Sequence, residues 1–308
     1  MPMRTIIAIG LIAGLGVSAP RAQEPAGPVR QTFRSAADVV TINASVRDAR
    51  GRLVSDLKAA DFEVRDNGQL RPVLSMRSDQ QSPISLAILV DMSGSMRIGP
   101  KISMARQTYT SVLSQLRDGQ DEVGLFTFDA TLHQRYGFTN QLAVLKDGLA
   151  DFAPYGTTSL YDAIAETARR LAARSATNRA IIVLTDGADT SSTMTAPDVS
   201  GLASSIGVPV YVVATMPSVD QRQMMEAEGR TASNGVDLRD LAQWTGGEFV
   251  IASTFGETVV AASSLIAALR QTYVLAIEAA GDHEWRRLDV RVRRPSTVVK
   301  ARTGYFGG

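Results

Sequence analysis

The chain has no cysteine and only two histidines among its 308 residues. Without cysteine it can form no disulfide, no thiolate metal site and no lipid anchor through a cysteine side chain. Its 32 lysines and arginines stand against 31 aspartates and glutamates, so no overall field directs it to nucleic acid or to an anionic membrane. An HExxH motif, a Walker loop and a dinucleotide-binding glycine fingerprint are also missing. These absences argue against zinc hydrolysis, nucleotide binding and thiol chemistry.

The first residues are predicted to be an export signal. One arginine in "MPMR" precedes the apolar stretch "TIIAIGLIAGLGVSA", and small residues follow. The stretch is shorter than the roughly 20 residues that a membrane-spanning helix needs. We therefore expect residues 1–22 to be a signal peptide, cleaved after Ala19 or Ala22, with an uncleaved anchor as the alternative. The mature chain is expected to be secreted or periplasmic, without a membrane span, and to begin with a linker over residues 23–37.

The middle of the chain has the pattern of an α/β fold. Four compact apolar runs are typical of parallel strands covered on both faces: "ISLAILVD", "EVGLFTFD", "RAIIVLTDG" and "VPVYVVAT". Helical patterns lie between or after them, at residues 102–116, 142–152, 160–171 and 236–244. Because strands alternate with helices, we predict a doubly wound, mostly parallel sheet over residues 83–271, with "TLHQRYGF" as an antiparallel edge strand. The polar segment 217–235 is interpreted as an insert or mobile loop.

Both flanks of this region have the pattern of half-buried strands. "VVTINASVRD" and "RRLDVRVRRP" alternate apolar with polar residues, and Asn67-Gly68 is a hairpin turn signal. Small sheets with one apolar face are marginal alone. We therefore predict that an N-terminal β arm (38–82) and a C-terminal β arm (272–308) pack together into a small β-sandwich-like domain.

Polar side chains end two of the predicted parallel strands. Asp91 ends the first strand and Asp186 ends another, while Ser93 and Ser95 follow Asp91 at alternate positions. The pair Thr157–Thr158 stands just before a predicted helix. In an open α/β sheet, ligands lie at the carboxyl ends of the strands, so these loops are expected to meet at one edge.

The residue types at this edge favour a hard cation. Two carboxylates and three or four hydroxyls suit magnesium, which prefers oxygen ligands in octahedral geometry. Gly94 eases the turn that lets Ser93 and Ser95 point to one centre. The alternative is that Asp91 and the serines only cap the following helix, because such side chains accept bonds from free helix amides.

Enzymatic interpretations of the same residues are weaker. A phosphatase of the aspartyl-phosphate type requires a second aspartate two positions after the first, where this chain has Ser93. A serine hydrolase requires a base, and neither His133 nor His283 is placed near Ser93 by the pattern. The sequence assigns no histidine or lysine to this edge as a base.

The motifs "DMSGSM", "GTTSLYDAI" and "LTDGAD" together resemble the metal-ion-dependent adhesion site of von Willebrand factor type A domains. The resemblance covers roughly residues 83–271. It implies that the hydroxyls of Ser93, Ser95 and Thr158 contact the metal, while Asp91 and Asp186 act largely through bridging water. Family members often have two glycines before the threonine; alignment on "LYDAI" selects Thr158, with the preceding threonine as the fallback.

The flanks "VRDARGRLVSDLKAADFEVRDNGQ" and "LRQTYVLAIE" more loosely resemble the arms of exported bacterial proteins that carry this domain. The sequence thus predicts a non-enzymatic, exported module that binds a protein partner through Mg²⁺ or Mn²⁺, with an Asp or Glu of the partner completing the site. The alternatives are a metal-assisted phosphatase or hydrolase using the same cation, and a structural module with a vestigial site.

Overall fold

The structure is a computed structural model that describes residues 39–78, 80–150, 153–176, 178–187, 189–217, 234–282 and 284–306. The predicted signal peptide, the linker, His283 and most of the 217–235 segment lie outside these residues. The strands are β1 (Val39–Asp48), β2 (Phe62–Asp66), β3 (Gln69–Arg71), β4 (Ser75–Arg77), β5 (Ile84–Asp91), β6 (Glu122–Phe128), β7 (Leu132–Thr139), β8 (Asn178–Thr185), β9 (Val210–Thr215), β10 (Phe249–Ala252), β11 (Tyr273–Glu278), β12 (Trp285–Val292), β13 (Thr297–Ala301) and β14 (Gly304–Phe306). The α-helices are α1 (Lys101–Gln115), α2 (Leu160–Ala172), α3 (Ala196–Ile206), α4 (Asn234–Thr245) and α5 (Phe255–Arg270).

Six strands form the central sheet in the order β10-β9-β8-β5-β6-β7. All neighbouring pairs are parallel except β6 and β7, which are antiparallel. The edge strand predicted from "TLHQRYGF" is therefore confirmed. The doubly wound, mostly parallel α/β fold class is confirmed with it.

Helices cover both faces of this sheet, which explains the unbroken apolar runs. β5 is buried along its whole length. On one face Ile88 belongs to a core with Tyr109 of α1 and Leu265 of α5, and on the other Leu89 belongs to a core with Ile164 of α2. Because neighbouring side chains of a strand point to opposite faces, only a strand covered on both sides needs apolar residues at every position.

The helix predicted at residues 142–152 is wrong in the described residues. The chain makes a short 3₁₀ turn at Leu142–Leu145 and continues as turns. The Leu145 carbonyl accepts bonds from the Tyr109 hydroxyl and from the Gly148 N–H, three residues ahead. The backbone bonds of this segment thus reach three residues back, whereas those of an α-helix reach four.

Two helices were absent from the sequence prediction. Both begin at a threonine whose hydroxyl accepts a backbone N–H: Thr195 from Asp198 at α3, and Thr254 from Glu257 at α5. α3 also ends at Gly207, whose φ of 71° lies in the left-handed region. These capping signals were present in the sequence and mark both helices.

The two β arms form two four-stranded sheets, in the orders β13-β1-β11-β4 and β14-β12-β2-β3, and each sheet joins strands from both ends of the chain. One apolar core lies between them, in which the rings of Phe62 and Tyr273 are 5.2 Å apart. The hairpin between β2 and β3 turns at Asn67 and Gly68, both with positive φ. The termini thus contribute antiparallel sheets beside the central one.

The C-terminal arm contacts the amino-terminal side of the central sheet. Lys300 of β13 forms an ion pair with Glu248, which precedes β10. Arg302 donates to the carbonyl of Ser204 in the last turn of α3. The carboxyl ends of the parallel strands lie at the other side of the sheet. Among the described residues, none of the helices combines the length and apolarity needed to cross a lipid bilayer.

Candidate metal centre

Sheet topology places the predicted site at a crevice. The connections from β5 lead first to β6 on one side, and the later strands begin at β8 on its other side. The strand order therefore reverses between β5 and β8, where ligands bind in open α/β sheets. The register pairs Val90 with Leu184, so Asp91 and Thr185 end these two strands side by side.

Asp91 is buried and held in one orientation. Its Oδ2 accepts from the Thr185 hydroxyl at 2.6 Å, and its Oδ1 accepts from the Ser93 N–H at 2.8 Å. Burial raises the pKa of Asp91 to about 6, opposed by the bonds from Thr185 and Ser93 and assisted by the nearby charge of Asp186. The carboxylate is thus ionised at neutral pH but held in an environment that disfavours its charge.

The two serines converge as predicted. Their hydroxyl oxygens are 3.1 Å apart, with Ser93 buried and Ser95 half-buried. Gly94 between them donates its N–H to the Gly156 carbonyl at 3.0 Å, and a Cβ on Gly94 would lie 3.3 Å from that oxygen. A residue without a side chain allows this close approach of the two loops.

The loop that carries the threonines is bound to both neighbours. The Thr158 carbonyl accepts from the backbone N–H groups of Thr190 and Ser191, and the Thr158 N–H donates to the Thr190 hydroxyl at 3.0 Å. Thr158 is buried, whereas Thr157 is exposed and its hydroxyl accepts from that of Ser191 at 3.1 Å. Burial thus distinguishes the two threonines that the sequence left open.

Asp186 contacts a lysine that sequence reasoning missed. The Nζ of Lys101 lies 3.2 Å from the Asp186 Oδ2, with the two side chains 10% and 5% exposed. Lys101 is the first residue of α1. A lysine in the first turn of a helix opposes the helix dipole, and that local conflict was the signal available in the sequence. A lysine therefore lies at this edge, where the sequence pattern assigned none.

The other carboxylate oxygen of Asp186 supports a cation at this place. Asp186 Oδ1 is buried and has no hydrogen-bond partner within the described residues. A buried carboxylate oxygen without a donor is costly unless a ligand satisfies it. The residues present, two carboxylates beside two converging hydroxyls, fit a hard divalent cation.

This donor set differs from that of an all-carboxylate or histidine site. Within the described residues, no three or more histidine or acidic side chains are grouped so that they could hold a metal. Any ion at this edge would therefore depend on hydroxyl or water ligands in addition to Asp91 and Asp186.

Other polar residues near this edge have structural partners. Asp189 accepts from the Leu160 N–H at 2.8 Å and so caps α2. His133 lies on the edge strand, where its Nε2 is 3.4 Å from an oxygen of Asp129. The predicted site residues Asp91, Ser93, Ser95 and Asp186 are linked by hydrogen bonds and by charge, with Thr158 in the loop that contacts both neighbouring loops.

Comparison with known proteins agrees with this geometry. Residues 86–189 match the family model described as the von Willebrand factor type A domain. That segment includes all five predicted site residues, and the resemblance of this part of the chain to von Willebrand factor type A domains is confirmed. A search of curated proteins gives no match.

Solved structures share the fold at low sequence identity. A von Willebrand factor type A structure from Catenulispora acidiphila is 14% identical, covers 89% of this chain and 76% of its own, and has a TM-score of 0.51. Proximal thread matrix protein 1 from the mussel byssus, with a zinc-occupied MIDAS motif, is 16% identical, covers 66% of this chain and 49% of its own, and has a TM-score of 0.51. These similarities establish the fold.

Proposed function

We propose that this chain binds a protein partner through a divalent cation. Residues 86–189 match the model of the von Willebrand factor type A domain, a class that generally mediates protein–protein interaction. The proposed ligand residues are Asp91, Ser93, Ser95, Thr158 and Asp186. The observation that carries the proposal is the buried, unpartnered Oδ1 of Asp186 at the crevice where the serine hydroxyls converge, within the part of the chain that the structure describes.

The proposed cation is magnesium or manganese. Both accept oxygen ligands, and the five proposed ligand residues carry only oxygen donors in their side chains. The zinc-occupied MIDAS motif of the mussel byssus protein supports a divalent ion in this fold. Ser93, Ser95 and Thr158 would contact the ion through their hydroxyls, and Asp91 and Asp186 would balance most of its charge.

The proposed partner presents an aspartate or glutamate. Hydroxyl ligands carry no charge, so a bound cation would keep an affinity for an added carboxylate. The loops around the site also expose apolar side chains: Ile98 is 64% exposed and Tyr155 is 78% exposed. Exposed aromatic and aliphatic residues beside a polar centre are suited to a protein contact.

The proposal includes export, as the N-terminal sequence predicts, and a role without catalysis. Metal-assisted hydrolysis is the competing function. It would need a base. His133 lies on the edge strand with its Nε2 3.4 Å from an oxygen of Asp129, and the ammonium of Lys101 is paired with Asp186. We also propose that the arms, 38–82 and 272–308, serve as one structural domain carrying the central domain of residues 83–271.

Affinity capture with the full chain tests the proposed function. The bait is incubated with periplasmic extract in magnesium and again in chelator, beside Ser93→Ala plus Ser95→Ala and the charge-removal control Asp198→Asn, which lies at the cap of α3. A partner recovered in magnesium by wild type and by the control, but lost with chelator and with the double serine variant, is expected. Capture that survives chelator contradicts the bridge, and metal-dependent hydrolysis of a phosphate ester, abolished by Asp91→Ala, would establish an enzyme instead.

A further inference from the structure

The contact between Lys101 and Asp186 gives the site a cation of its own. The ammonium and the carboxylate are 3.2 Å apart, and both side chains are almost fully buried. Lys101 starts α1, and Asp186 follows β8, so two separate elements are brought together by this pair. A buried charge pair of this kind is expensive to form, which indicates a role beyond general stability.

Formal charge shows what the lysine changes. Lys101 carries one positive charge, and its ammonium lies against one of the two aspartates proposed to hold the cation. The lysine therefore makes the site one unit of charge more positive than it would be with a neutral residue at this position, both before and after a cation binds. This added charge disfavours the cation and favours an anionic ligand of the bound cation.

We infer that Lys101 determines both the metal affinity and the ligand preference of this site: it weakens cation binding and strengthens the binding of an anionic ligand to the loaded site. The inference rests on the proposed metal-dependent function. When no cation is bound, Lys101 forms an ion pair with Asp186. A cation that binds at the site must compete with the lysine for this carboxylate. Once the cation is in place, the ammonium adds its positive charge to that of the cation. The added charge favours a carboxylate over a neutral ligand.

Neutralising the lysine should change two affinities in opposite directions. Lys101→Met removes the charge and keeps a side chain of similar length. Manganese affinity, measured by calorimetry, is expected to rise by about tenfold, which corresponds to about 1.4 kcal/mol. The affinity of the manganese-loaded protein for acetate, measured by water-proton relaxation, is expected to fall several-fold because the positive charge of the lysine has been removed. Loss of a purely structural contact would not change the two affinities in opposite directions.

Two further variants separate the charge of the lysine from its shape. Lys101→Arg retains the charge and is expected to stay near wild type in both affinities, whereas Lys101→Gln is expected to follow Lys101→Met. Circular dichroism and thermal unfolding, with and without manganese, show whether each variant is folded. The metal-free Lys101→Met protein is expected to unfold at a lower temperature than wild type. Manganese is expected to reduce this difference in unfolding temperature.

The outcomes distinguish this role of Lys101 from the proposed function. If wild type binds manganese but the neutral variants leave both affinities unchanged, or lower both, Lys101 does not have this role. The role is equally ruled out if Lys101→Arg and Lys101→Met change the affinities alike, because shape and not charge would then be responsible. If wild type binds no divalent cation, the proposed function fails and the inference falls with it.

Discussion

Each end of the central sheet buries an aspartate, and the pKa values of the two aspartates are shifted in opposite directions. At the amino end, before β6, Asp121 accepts from Arg270 at 2.5 Å and from the backbone N–H groups of Ile84 and Arg117. Burial acts to raise the pKa of Asp121, but these bonds together lower it. At the carboxyl end burial dominates, and the pKa of Asp91 rises to about 6.

Under the proposed function, the difference separates a charge that stabilises the fold from a charge that binds a ligand. The amino end, where the C-terminal arm also attaches, is completed by the chain's own cations and backbone donors. At the carboxyl end Asp91 accepts from the neutral donors Thr185 and Ser93, and Asp186 pairs with Lys101 through one oxygen while its other oxygen has no partner in the described residues. The buried aspartate at the amino end thus has its donors within the chain, whereas the carboxyl end has a buried carboxylate oxygen without a donor in the described residues.

Removing the arms should have the largest effect, because they attach at the completed end. A chain cut to residues 83–271 loses the contacts of Lys300 and Arg302 with the central domain. We expect it to aggregate or to be digested by protease much faster than the full chain. Limited proteolysis and size-exclusion chromatography measure this. A truncated chain as stable as the whole would show that the amino end does not depend on the arms.

Isosteric substitutions at the two ends should differ strongly in stability. Asp121→Asn leaves the partly buried Arg270 without its carboxylate and should lower the free energy of unfolding by about 3 kcal/mol. Asp91→Asn removes a charge that burial disfavours and should therefore not lower the free energy of unfolding of the metal-free protein at neutral pH by more than about 1 kcal/mol. Urea unfolding in chelator measures both, and equal destabilisation by the two variants would contradict the distinction.

The stability of the metal-free protein should depend on pH through Asp91. The pKa of Asp91 is about 6 in the folded protein, against 3.8 for an unperturbed aspartate such as that of the unfolded chain. As pH rises, the unfolded chain therefore loses the carboxyl proton at lower pH than the folded protein does. Stability should therefore fall between about pH 4 and pH 6, by up to about 3 kcal/mol. The difference in unfolding free energy between wild type and Asp91→Asn isolates this contribution. A difference that does not vary between about pH 4.5 and about pH 7.5 would mean that the pKa of Asp91 is not raised.

The smallest predicted effect is a difference in manganese affinity between variants of the two adjacent threonines at the carboxyl end. Thr158→Ala should weaken manganese binding by roughly tenfold or more, as loss of a group at a metal site commonly does. Thr157→Ala removes an exposed hydroxyl bonded to Ser191 and should leave the affinity almost unchanged. Calorimetry on the pair measures the difference, and a larger loss in Thr157→Ala would reverse the assignment.

Most of the fold could be predicted from the sequence because strands that are buried on both faces require unbroken apolar runs. β5, β6, β8 and β9 each correspond to one of the four runs. The helix expected at 142–152 failed because periodicity does not distinguish an α-helix from successive turns whose N–H groups bond three residues back, as that of Gly148 does to Leu145. The sequence prediction missed α3 and α5, although the threonines that cap them are recognisable in the sequence.

The candidate site could be predicted in part for a similar reason. Asp91, Ser93 and Ser95 are local in sequence, and their spacing alone indicates convergence. Asp186 could be added because strands of one sheet share an edge. Lys101 and Thr185 could not be assigned a role, since their contacts join residues 85 and 94 positions apart, and no local pattern specifies that distance in space.

Anomalous diffraction from crystals grown with manganese tests most directly whether the carboxyl end of the sheet holds a cation. We expect one strong manganese peak at the carboxyl ends of β5 and β8, within ligand distance of the hydroxyls of Ser93 and Ser95, and no such peak in Asp91→Ala crystals. A peak at the amino end, beside Asp121, or elsewhere on the molecule, would contradict this expectation, as would crystals of wild type that show no bound manganese at this edge.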